Sequence, residues 1–431
     1  MSNRSTGKTL TSDATSVIMP SPGKGTDVNM LTVTEAAGAI ADAMPPFDTE
    51  SVNLDRANGR ILRQVVTAER DQPPFDRVTM DGIAISFDAF EDGRRTFRIQ
   101  GTQHAGDAVT TLDDPSNCIE IMTGGVLPVG TDCIIAVERL RVSDGITTIE
   151  ADYQPERQQY IHPQGSDYQV GDDILAGNTV ITPMEIAIIA SCGLDSVSVS
   201  RQPVIRIIST GNELVAPGKP IESHQVRLSN GPALAAMLTS GGFEDVAHEH
   251  IVDDPVVLTS RLSALLAESN VLVLSGGVSM GKADFVPEVL AGLGVKVVFH
   301  KVSQRPGKPM WFGMGPNGQA VFALPGNPVS SLVCCRQYVL PALLQASGQQ
   351  TARDQYAELA EDVNFAPQLT CFLPIRLSSV RDGRAIATPV PTNTSGDFAS
   401  LHGTDGYVEL PKETCHFPRG TIVRLHRWTA G

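Results

Sequence analysis

The chain lacks the features that mark membrane-spanning, secreted and nucleic-acid-binding proteins. No apolar run approaches the roughly 20 residues that a membrane-spanning helix needs. The first 16 residues, MSNRSTGKTLTSDATS, contain no apolar core of the kind found in a secretory signal. Positive charge is scarce, since 33 Lys and Arg residues face 48 Asp and Glu residues and the net charge is −15. This excess of negative charge argues against nucleic acid as a general partner.

Cysteine and histidine patterns typical of metal or redox sites are also missing. The seven cysteines are scattered and form no C-x-x-C pair, so we expect small buried hydrophobes in a reducing cytosol. Among nine histidines only His248-Glu249-His250 forms a close pair, on a strand pattern where both face one side. A zinc site there would need a third ligand that the sequence does not supply. We therefore expect a cytoplasmic protein and interpret this pair as a polar sheet face.

At 431 residues the chain is too long for one hydrophobic core, and its patterns predict several domains. Residues 1–28 are polar, without apolar periodicity, and are predicted to be a disordered tail. The N-terminal region is assigned to 29–200, where period-two alternation predicts a small β domain, assigned to about 72–160. Between 201 and 347 strands alternate with helical patterns, which predicts βαβ units and a doubly wound, mostly parallel α/β sheet. Short strands return in 354–431 and predict a small, barrel-like β domain.

Two helix starts can be assigned from capping boxes. Thr32 and Glu35 precede apolar residues at helical spacing, and Thr182 and Glu185 enclose a proline at the first helical position. The first pattern predicts an amphipathic helix over Leu31–Met44, and the second predicts a helix that Gly193 ends.

The segment from Val271 to Leu290 carries the densest pattern in the chain. Val271–Leu274 predicts a strand buried on both faces, and Ser275-Gly276-Gly277 follows it before an apolar helix. Glycine lets the backbone approach a ligand closely, and a helix N-terminus presents free N–H groups, so an anion would be the natural ligand. A glycine-rich turn that only packs the helix on the strand is the alternative.

Two familiar motifs overlap here, and each departs from its required pattern. Gly276 to Lys282 fits the start of the NTPase phosphate-binding loop, but Ala283 stands where Ser or Thr must hold Mg²⁺. Gly277 to Gly281 fits the hydrolase pattern G-x-S-x-G. In a hydrolase the serine occupies a sharp turn directly between strand and helix, whereas Ser279 lies several residues past the strand. An NTPase and a serine hydrolase are therefore disfavoured alternatives.

Two further strand-like runs end in loops of small and polar residues. Val204–Ser209 leads into Thr210-Gly211-Asn212-Glu213-Leu214, and Val321–Leu324 leads into Pro325-Gly326-Asn327-Pro328. In a doubly wound sheet the carboxyl ends of the strands lie side by side, and ligands bind there. We therefore expect all three loops to meet at one crevice.

Four acidic residues lie at loop positions on separate elements: Asp81, Glu213, Asp253 and Asp284. Carboxylates that meet beside phosphate-binding loops favour Mg²⁺, which prefers oxygen ligands. Simpler interpretations exist, since an aspartate before glycine is typical of a turn, Asp284 suits a helix N-cap, and Asp253-Asp254-Pro255 fits a helix start. In so acidic a chain, the basic stretch from His300 to Lys308 is the clearest candidate for anion capture.

Six motifs in this order resemble the molybdopterin molybdenumtransferase family, which includes bacterial MoeA and the E domain of gephyrin. They are TMDG at 79–82, IMTGG at 121–125, STGNEL at 209–214, SGGVSMGKAD at 275–284, RPGKP at 305–309 and LPGNP at 324–328. The resemblance runs from about residue 30 to the C-terminus. It implies an elongated first domain that carries the inserted β domain. It also implies a homodimeric, Mg²⁺-dependent enzyme that inserts molybdenum from molybdate into the dithiolene of adenylylated molybdopterin as AMP leaves, among other enzymes of molybdenum cofactor biosynthesis.

The resemblance also implies roles for individual residues. The acidic active-site residues would be Asp81, Glu213, Asp253 and Asp284, the last three as metal ligands. The residues that bind molybdopterin or its anionic groups would be Thr123, Ser275, Gly276, Gly277, Ser279, Lys301, Arg305, Lys308, Pro325, Pro328 and Ser395.

The chain departs from the family pattern at two places. The arginine usual about five residues before Asp167 is missing from Ile161–Ser166, and Arg157 is out of register. The tyrosine that commonly follows Met-Asp-Gly is Ile83. A non-catalytic or altered-activity molybdopterin-binding paralogue or scaffold therefore remains the alternative function.

Overall fold

The computed structural model describes residues 17–18, 30–277, 285–350, 354–392 and 394–429. The chain divides into two compact units. One unit consists of Met1–Glu50, Gly59–Ile61 and Val199–Gly431, and the other of Ser51–Asn58 and Leu62–Ser198. Over the described ranges, no helix is long and apolar enough to cross a bilayer. The domain boundaries of 29–200, 201–347 and 354–431 stay predictions.

A six-stranded sheet forms the centre of the unit made of Ser51–Asn58 and Leu62–Ser198. In spatial order its strands are Cys133–Ala136, Gly82–Ile85, Asn117–Ile121, Thr96–Gln103, Ile146–Ile149 and Leu140–Ser143. All neighbours are antiparallel except the parallel central pair. Because side chains alternate across a strand, Ile83 and Ile85 pack into the larger core with Phe97, whereas Ala84 packs on the opposite face. The prediction of a small β domain in this region is confirmed.

Shorter elements complete this unit. Its helices are Phe87–Glu91 and Pro183–Ser191, and its two-stranded pairs join Arg77–Val78 to Ile161–His162 and Val66–Thr67 to Asp173–Leu175. The capping box of Thr182 and Glu185 forms as predicted.

Six strands form the central sheet of the other unit. In spatial order they are Val246–Ile251, Ile205–Thr210, Val271–Ser275, Ala320–Leu324, Trp311–Met314 and Lys296–His300. The first four are parallel and the last two run antiparallel to their neighbours. The prediction of a mostly parallel sheet is confirmed, although the sequence did not predict Trp311–Met314.

Helices cover both faces of this sheet, which explains why its central strands are continuously apolar. Alternate residues of Val271–Ser275 enter different cores. Val271 and Val273 pack with Leu234 of a helix on one face, and Leu272 and Leu274 pack with Leu262 of a helix on the other. The helices of this unit are Val33–Ala43, Asn230–Ser240, Pro255–Glu268, Val286–Gly292, Pro328–Cys334 and Leu340–Ala346, with a π-helical turn at Cys335–Val339. The predicted capping box of Thr32 and Glu35 begins the first of them. The doubly wound α/β fold is thereby confirmed.

Five strands near the C-terminus close into a barrel, as predicted. They are Gln355–Leu359, Thr370–Ser379, Ala385–Pro389, Gly406–Leu410 and Ile422–Arg427, and each pairs with two of the others. Closure leaves no free edge in the ring, and Leu373, Val408 and Leu425 fill the interior.

A short three-stranded sheet lies in the same region. Val363–Asn364 pairs with His416–Phe417 on one side and with Val17–Ile18 on the other. The remaining residues of the predicted tail at 1–28 lie outside the described part of the chain, so its disorder stays a prediction.

The cysteines are buried as predicted, with one exception. Six are buried and only Cys415 is exposed. Burial raises the pKa of the Cys371 thiol to about 12, so this sulfur is a neutral thiol at neutral pH.

Candidate functional site

The three loops predicted to converge do lie side by side. Ser209 is in register with Ser275, and Ser275 with Leu324, so the three strands end at the same level. A Cβ on Gly326 would lie 3.6 Å from the Cα of Gly276. The chain reverses its direction of winding between Ile205–Thr210 and Val271–Ser275, and this switch point is where ligands bind in such sheets.

The glycines of the central loop are required by packing. Gly276 and Gly277 have φ of 98° and 67°, and a Cβ on Gly276 would lie 2.8 Å from the carbonyl oxygen of Thr210. A Cβ on Gly277 would lie 2.7 Å from Val286 Cγ2. The Gly276 amide donates to the Leu324 carbonyl at 3.2 Å. Close packing of helix on strand, the simpler alternative, therefore accounts for both glycines, and their role in ligand binding stays a prediction.

The hydroxyl of Ser275 is engaged inside the protein. Ser275 is 3% exposed, and its Oγ accepts from Asn230 Nδ2 at 2.9 Å and lies 3.1 Å from Ser331 Oγ. Asn230 Nδ2 also donates to the Gly326 carbonyl at 2.8 Å. The two neighbouring loops are thus joined through the side chain of Asn230, which sequence reasoning did not single out.

Thr210 is buried at the rim of this crevice, and its hydroxyl has no partner among the described residues. It is 4% exposed, and its Oγ1 forms no hydrogen bond within the described residues. Leaving a buried hydroxyl unpaired costs about 1–3 kcal/mol. Such groups in a native protein call for an explanation, and a ligand site is a frequent one.

Glu213 and Asp253 lie on two loops that are bonded to each other. The Asp253 amide donates to Asn212 Oδ1 at 3.1 Å, and His250 Nε2 contacts the Gly211 carbonyl at 2.8 Å. Glu213 is exposed and Asp253 is half-buried, so both can face a ligand. The structure therefore brings these two predicted residues to the same end of the sheet.

The N-cap of helix Pro255–Glu268 is Asp254. Its carboxylate accepts from the amides of Val256 and Val257 at 2.9 and 3.0 Å. The helix start predicted at Asp253-Asp254-Pro255 is thus confirmed, with Asp254 and not Asp253 as the capping residue. Sequence reasoning could have found this, since proline prefers the first helical position and Asp254 directly precedes Pro255.

Two predicted residues, Ser279 and Asp284, lie outside the described residues. Helix Val286–Gly292 begins with Phe285 at its N-cap position. Asp284 itself is not among the described residues, so the alternative that it caps this helix stays a prediction. Over the described ranges, no group of three or more His, Cys, Asp or Glu side chains could hold a metal by itself.

Asp81 and Thr123 lie together in the other unit. The amide and hydroxyl of Thr123 both donate to Asp81 Oδ1, at 2.6 and 2.7 Å. These two bonds, the backbone one first, lower the pKa of the Asp81 carboxyl below its ordinary value. Gly82 has no room for a side chain, because a Cβ would collide with the Ile135 carbonyl. Asp81 is therefore an exposed, ionised carboxylate held in one orientation.

The basic stretch from His300 to Lys308 forms a loop that is held by backbone hydrogen bonds and by the buried side-chain amide of Gln304. The Val302 amide donates to the Lys308 carbonyl at 2.9 Å and the Lys301 amide to the Met310 carbonyl at 2.8 Å. Gln304 is fully buried, and its Nε2 donates to the Pro306 carbonyl at 2.9 Å.

Gln304 is in turn held by the π-helical turn at Cys335–Val339 and by the residue before it. The Tyr338 hydroxyl donates to Gln304 Oε1, and Gln304 Nε2 lies 3.5 Å from Cys334 Sγ. A side chain on Gly307 would collide with the same sulfur. Turns of this kind are frequent at functional sites, and here one supports the backbone between Arg305 and Lys308.

The proline loop has the predicted geometry and one additional contact. Asn327 occupies the N-cap position and Pro328 the first turn of helix Pro328–Cys334. The Asn327 side chain makes no capping bond and donates instead to Ser395 Oγ at 2.8 Å. The Ser395 carbonyl accepts from the Val329 amide at 3.1 Å. Ser395 and the loop of Pro325 and Pro328 are thereby joined, as their predicted common role requires.

The missing arginine has a counterpart in space. His162 stands five residues before Asp167 and contacts it at 2.9 Å, while its other nitrogen lies 3.2 Å from Arg77. Arg157 forms ion pairs with Asp88, Glu91 and Asp132. A guanidinium therefore does lie beside this position, supplied by a residue distant in sequence.

Comparison with known proteins agrees with this geometry. Residues 31–193 match the MoeA N-terminal region (domain I and II), 206–345 the probable molybdopterin binding domain, and 356–428 the MoeA C-terminal region (domain IV). The chain is 38% identical over 400 residues to the molybdopterin molybdenumtransferase of Synechocystis sp., covering 93% of this chain and 100% of the relative. It is 29% identical to that of Bacillus subtilis, covering 91% and 93%.

The fold has a counterpart among solved structures. The molybdopterin biosynthesis moea protein from Pyrococcus horikosii superposes with a TM-score of 0.79 at 28% identity, covering 94% of this chain and 100% of that one. On these matches and on the motifs at the crevice, the chain belongs to the MoeA family of molybdopterin molybdenumtransferases.

Proposed function

We propose that this chain is a molybdenum insertase, which inserts molybdenum from molybdate into the dithiolene of adenylylated molybdopterin and releases AMP. The observation that carries the proposal is the meeting of three loops at the switch point of the sheet, beside Glu213 and Asp253. Such a crevice suits a ligand that carries phosphate. The relatives named molybdopterin molybdenumtransferase support the same reaction.

The donor set at the crevice fits Mg²⁺. Glu213 and Asp253 offer carboxylate oxygens on loops bonded to one another, and Mg²⁺ prefers one or two carboxylates together with substrate phosphates. We assign Glu213, Asp253 and Asp284 as the residues that hold it. When bound, Mg²⁺ supplies Lewis-acid polarisation of the leaving phosphate.

The basic loop is assigned to bind the anionic groups of the ligand. In a protein of net charge −15, molybdate and phosphate are repelled overall, so local cations must offset that repulsion. Lys301, Arg305 and Lys308 can do so at little reorganisation cost, because the buried Gln304 fixes the backbone that carries them. Gly276, Gly277, Ser279, Pro325, Pro328 and Ser395 shape the cleft in which the pterin lies.

Asp81 serves as an orienting carboxylate. Since the two bonds from Thr123 lower its pKa, it carries no proton to donate at neutral pH. It can accept hydrogen bonds from the ligand without changing its own charge. Thr123 in turn holds the Asp81 carboxylate in one orientation.

We further propose that the protein works as a cytoplasmic homodimer that exchanges ligands with other enzymes of molybdenum cofactor biosynthesis. Sedimentation velocity of the purified chain tests the dimer, and a monomer at micromolar concentration would contradict it.

Asp253 and Asp254 provide a matched test of the reaction. Asparagine caps a helix about as well as aspartate, so Asp254→Asn should leave melting temperature and turnover unchanged. Asp253→Asn removes a carboxylate that holds Mg²⁺, so it should stop AMP release while the fold survives. The assay loads each purified variant with adenylylated molybdopterin, adds Mg²⁺ and molybdate, and quantifies AMP by chromatography.

Two outcomes would contradict the proposal. Wild-type turnover in Asp253→Asn would remove this carboxylate from the metal site. Wild-type protein that binds molybdopterin yet releases no AMP would favour the alternative of a non-catalytic scaffold or a paralogue of altered activity.

A further inference from the structure

A ring of hydrogen bonds joins two of the three loops at the crevice. Asn230, the first residue of helix Asn230–Ser240, donates both N–H groups of its amide, one to Ser275 Oγ and one to the Gly326 carbonyl. On the other side of Ser275, Ser331 lies at 3.1 Å and donates to the Pro325 carbonyl at 2.5 Å. The adjacent residues Pro325 and Gly326 close the ring.

The direction of every bond in this ring follows from counting protons. The single hydroxyl proton of Ser331 is used toward Pro325, because a carbonyl can only accept. Ser275 must therefore donate to Ser331, and its lone pair accepts from Asn230. Asn230 thus has the one side chain in the ring that acts only as a donor there, whereas the Pro325 and Gly326 carbonyls only accept.

Burial makes the ring costly to break. Ser275 and Ser331 are 3% and 0% exposed, so water cannot replace a missing partner without a change in structure. Connected polar groups of this kind hold one arrangement when every member is satisfied. The ring therefore fixes the spacing between the loops that begin at Ser275 and Pro325.

We propose that Asn230 is a positioning residue for the insertion reaction, holding the loop at Ser275–Gly277 and the loop at Pro325–Gly326 at the separation that the ligand requires. The inference rests on the proposed function, because it assumes that molybdopterin or its adenylate lies across these two loops. Asn230 acts through the serines and the carbonyls and does not itself react.

The first experiment compares three single variants. Asn230→Ala removes both donated bonds, and Ser331→Ala breaks the ring at a side chain too deeply buried to touch a ligand. The control is Asn270→Ala, since Asn270 precedes the opposite end of the same strand and accepts from the Val204 amide at 2.8 Å. Affinity for molybdopterin should fall about tenfold in the first two variants and stay unchanged in the control, although all three lose hydrogen bonds.

A double-mutant cycle separates positioning from direct contact. If Asn230 and Ser331 act through one ring, the double variant should bind molybdopterin about as weakly as either single variant, because the second substitution has nothing left to break. Losses that add, or an affinity for Asn230→Ala equal to that of wild type, would overturn the proposal.

A measurement without ligand distinguishes this proposal from the reaction itself. The Gly276 amide donates to the Leu324 carbonyl across the joined loops, so its hydrogen exchange should be faster in Asn230→Ala than in wild type and unchanged in Asn270→Ala. Equal exchange in Asn230→Ala and wild type would show that Asn230 does not position the loop. If wild type bound no molybdopterin while exchange still rose, the proposed function would fail and the positioning role would stand.

Discussion

Replacing Thr210 by valine should stabilise the protein, although the substitution removes a polar group from the rim of the crevice. The Thr210 hydroxyl is buried and makes no hydrogen bond within the described residues. Valine keeps the branched shape and replaces the hydroxyl by a methyl group that needs no partner. An unpaired buried polar group costs about 1–3 kcal/mol, so we expect the free energy of unfolding to rise by about 1 kcal/mol.

Substitution of the neighbouring residue, Ser209, should change the free energy of unfolding in the opposite direction. Ser209 is also buried, but its Oγ lies 3.0 Å from His248 Nε2. Ser209→Ala removes a made hydrogen bond and should lower the free energy of unfolding by about 1 kcal/mol. For a domain of about 150–250 residues, a change of 1 kcal/mol in the free energy of unfolding shifts the melting temperature by roughly 2–4 °C.

Differential scanning calorimetry without ligand measures both shifts under the same conditions. We expect Thr210→Val to melt above wild type and Ser209→Ala to melt below it. A fall in Thr210→Val comparable to that in Ser209→Ala would show that the Thr210 hydroxyl has a partner in the folded protein, and the reasoning from its isolation would be refuted.

Four further substitutions or deletions test the other assignments. Asp284→Asn should leave the melting curve intact, because asparagine caps a helix about as well as aspartate, and should abolish AMP release; normal turnover would remove Asp284 from the metal set. Replacing Pro325 and Pro328 together by alanine should impair the reaction far more than stability, and equal losses would mean that the prolines serve only folding. Arg305→Ala should weaken binding of the cofactor and flatten its salt dependence, whereas an unchanged salt slope would exclude Arg305 from the site. Deleting residues 1–28 should change neither melting temperature nor activity, since Val17–Ile18 forms only a two-residue strand; a drop of several degrees would show that the tail contributes to the fold.

The fold could be predicted where local patterns carry it. Continuous apolar runs such as Val271–Leu274 identified the buried parallel strands, and the capping box of Thr32 and Glu35 identified a helix start. Trp311–Met314 was missed because its four residues have no alternation and are separated from Ala320–Leu324 only by a short turn. A strand in an antiparallel pair at the end of a parallel sheet gives no signal of its own.

The loops of the candidate site could be predicted from the sequence, but the buried side chains that hold these loops in place could not. Glycine and proline mark the three loops in the sequence, because their backbone conformations require those residue types. Three supporting residues carry no comparable signal, because each depends on partners far away in the sequence. Asn230 bonds to residues 45 and 96 positions away. Ser331 contacts a residue 56 positions away, and Gln304 one that is 34 positions away. Arg77 was missed for the same reason, since it meets His162 across 85 residues of sequence.

The short strand Gln304–Arg305 has a consequence for how the protein can be observed. It pairs in parallel with Thr370–Cys371 of the barrel, and the Ser303 carbonyl accepts from the Thr370 amide at 3.0 Å. On its other side the Ser303 amide donates to the Leu31 carbonyl at 2.7 Å. The segment that carries Arg305 is thus held by backbone hydrogen bonds on both sides, to Leu31 just before the first helix and to Thr370 of the barrel. An anion that immobilises Arg305 will therefore slow hydrogen exchange at Thr370, so that a backbone amide of the barrel reports whether the basic loop is occupied.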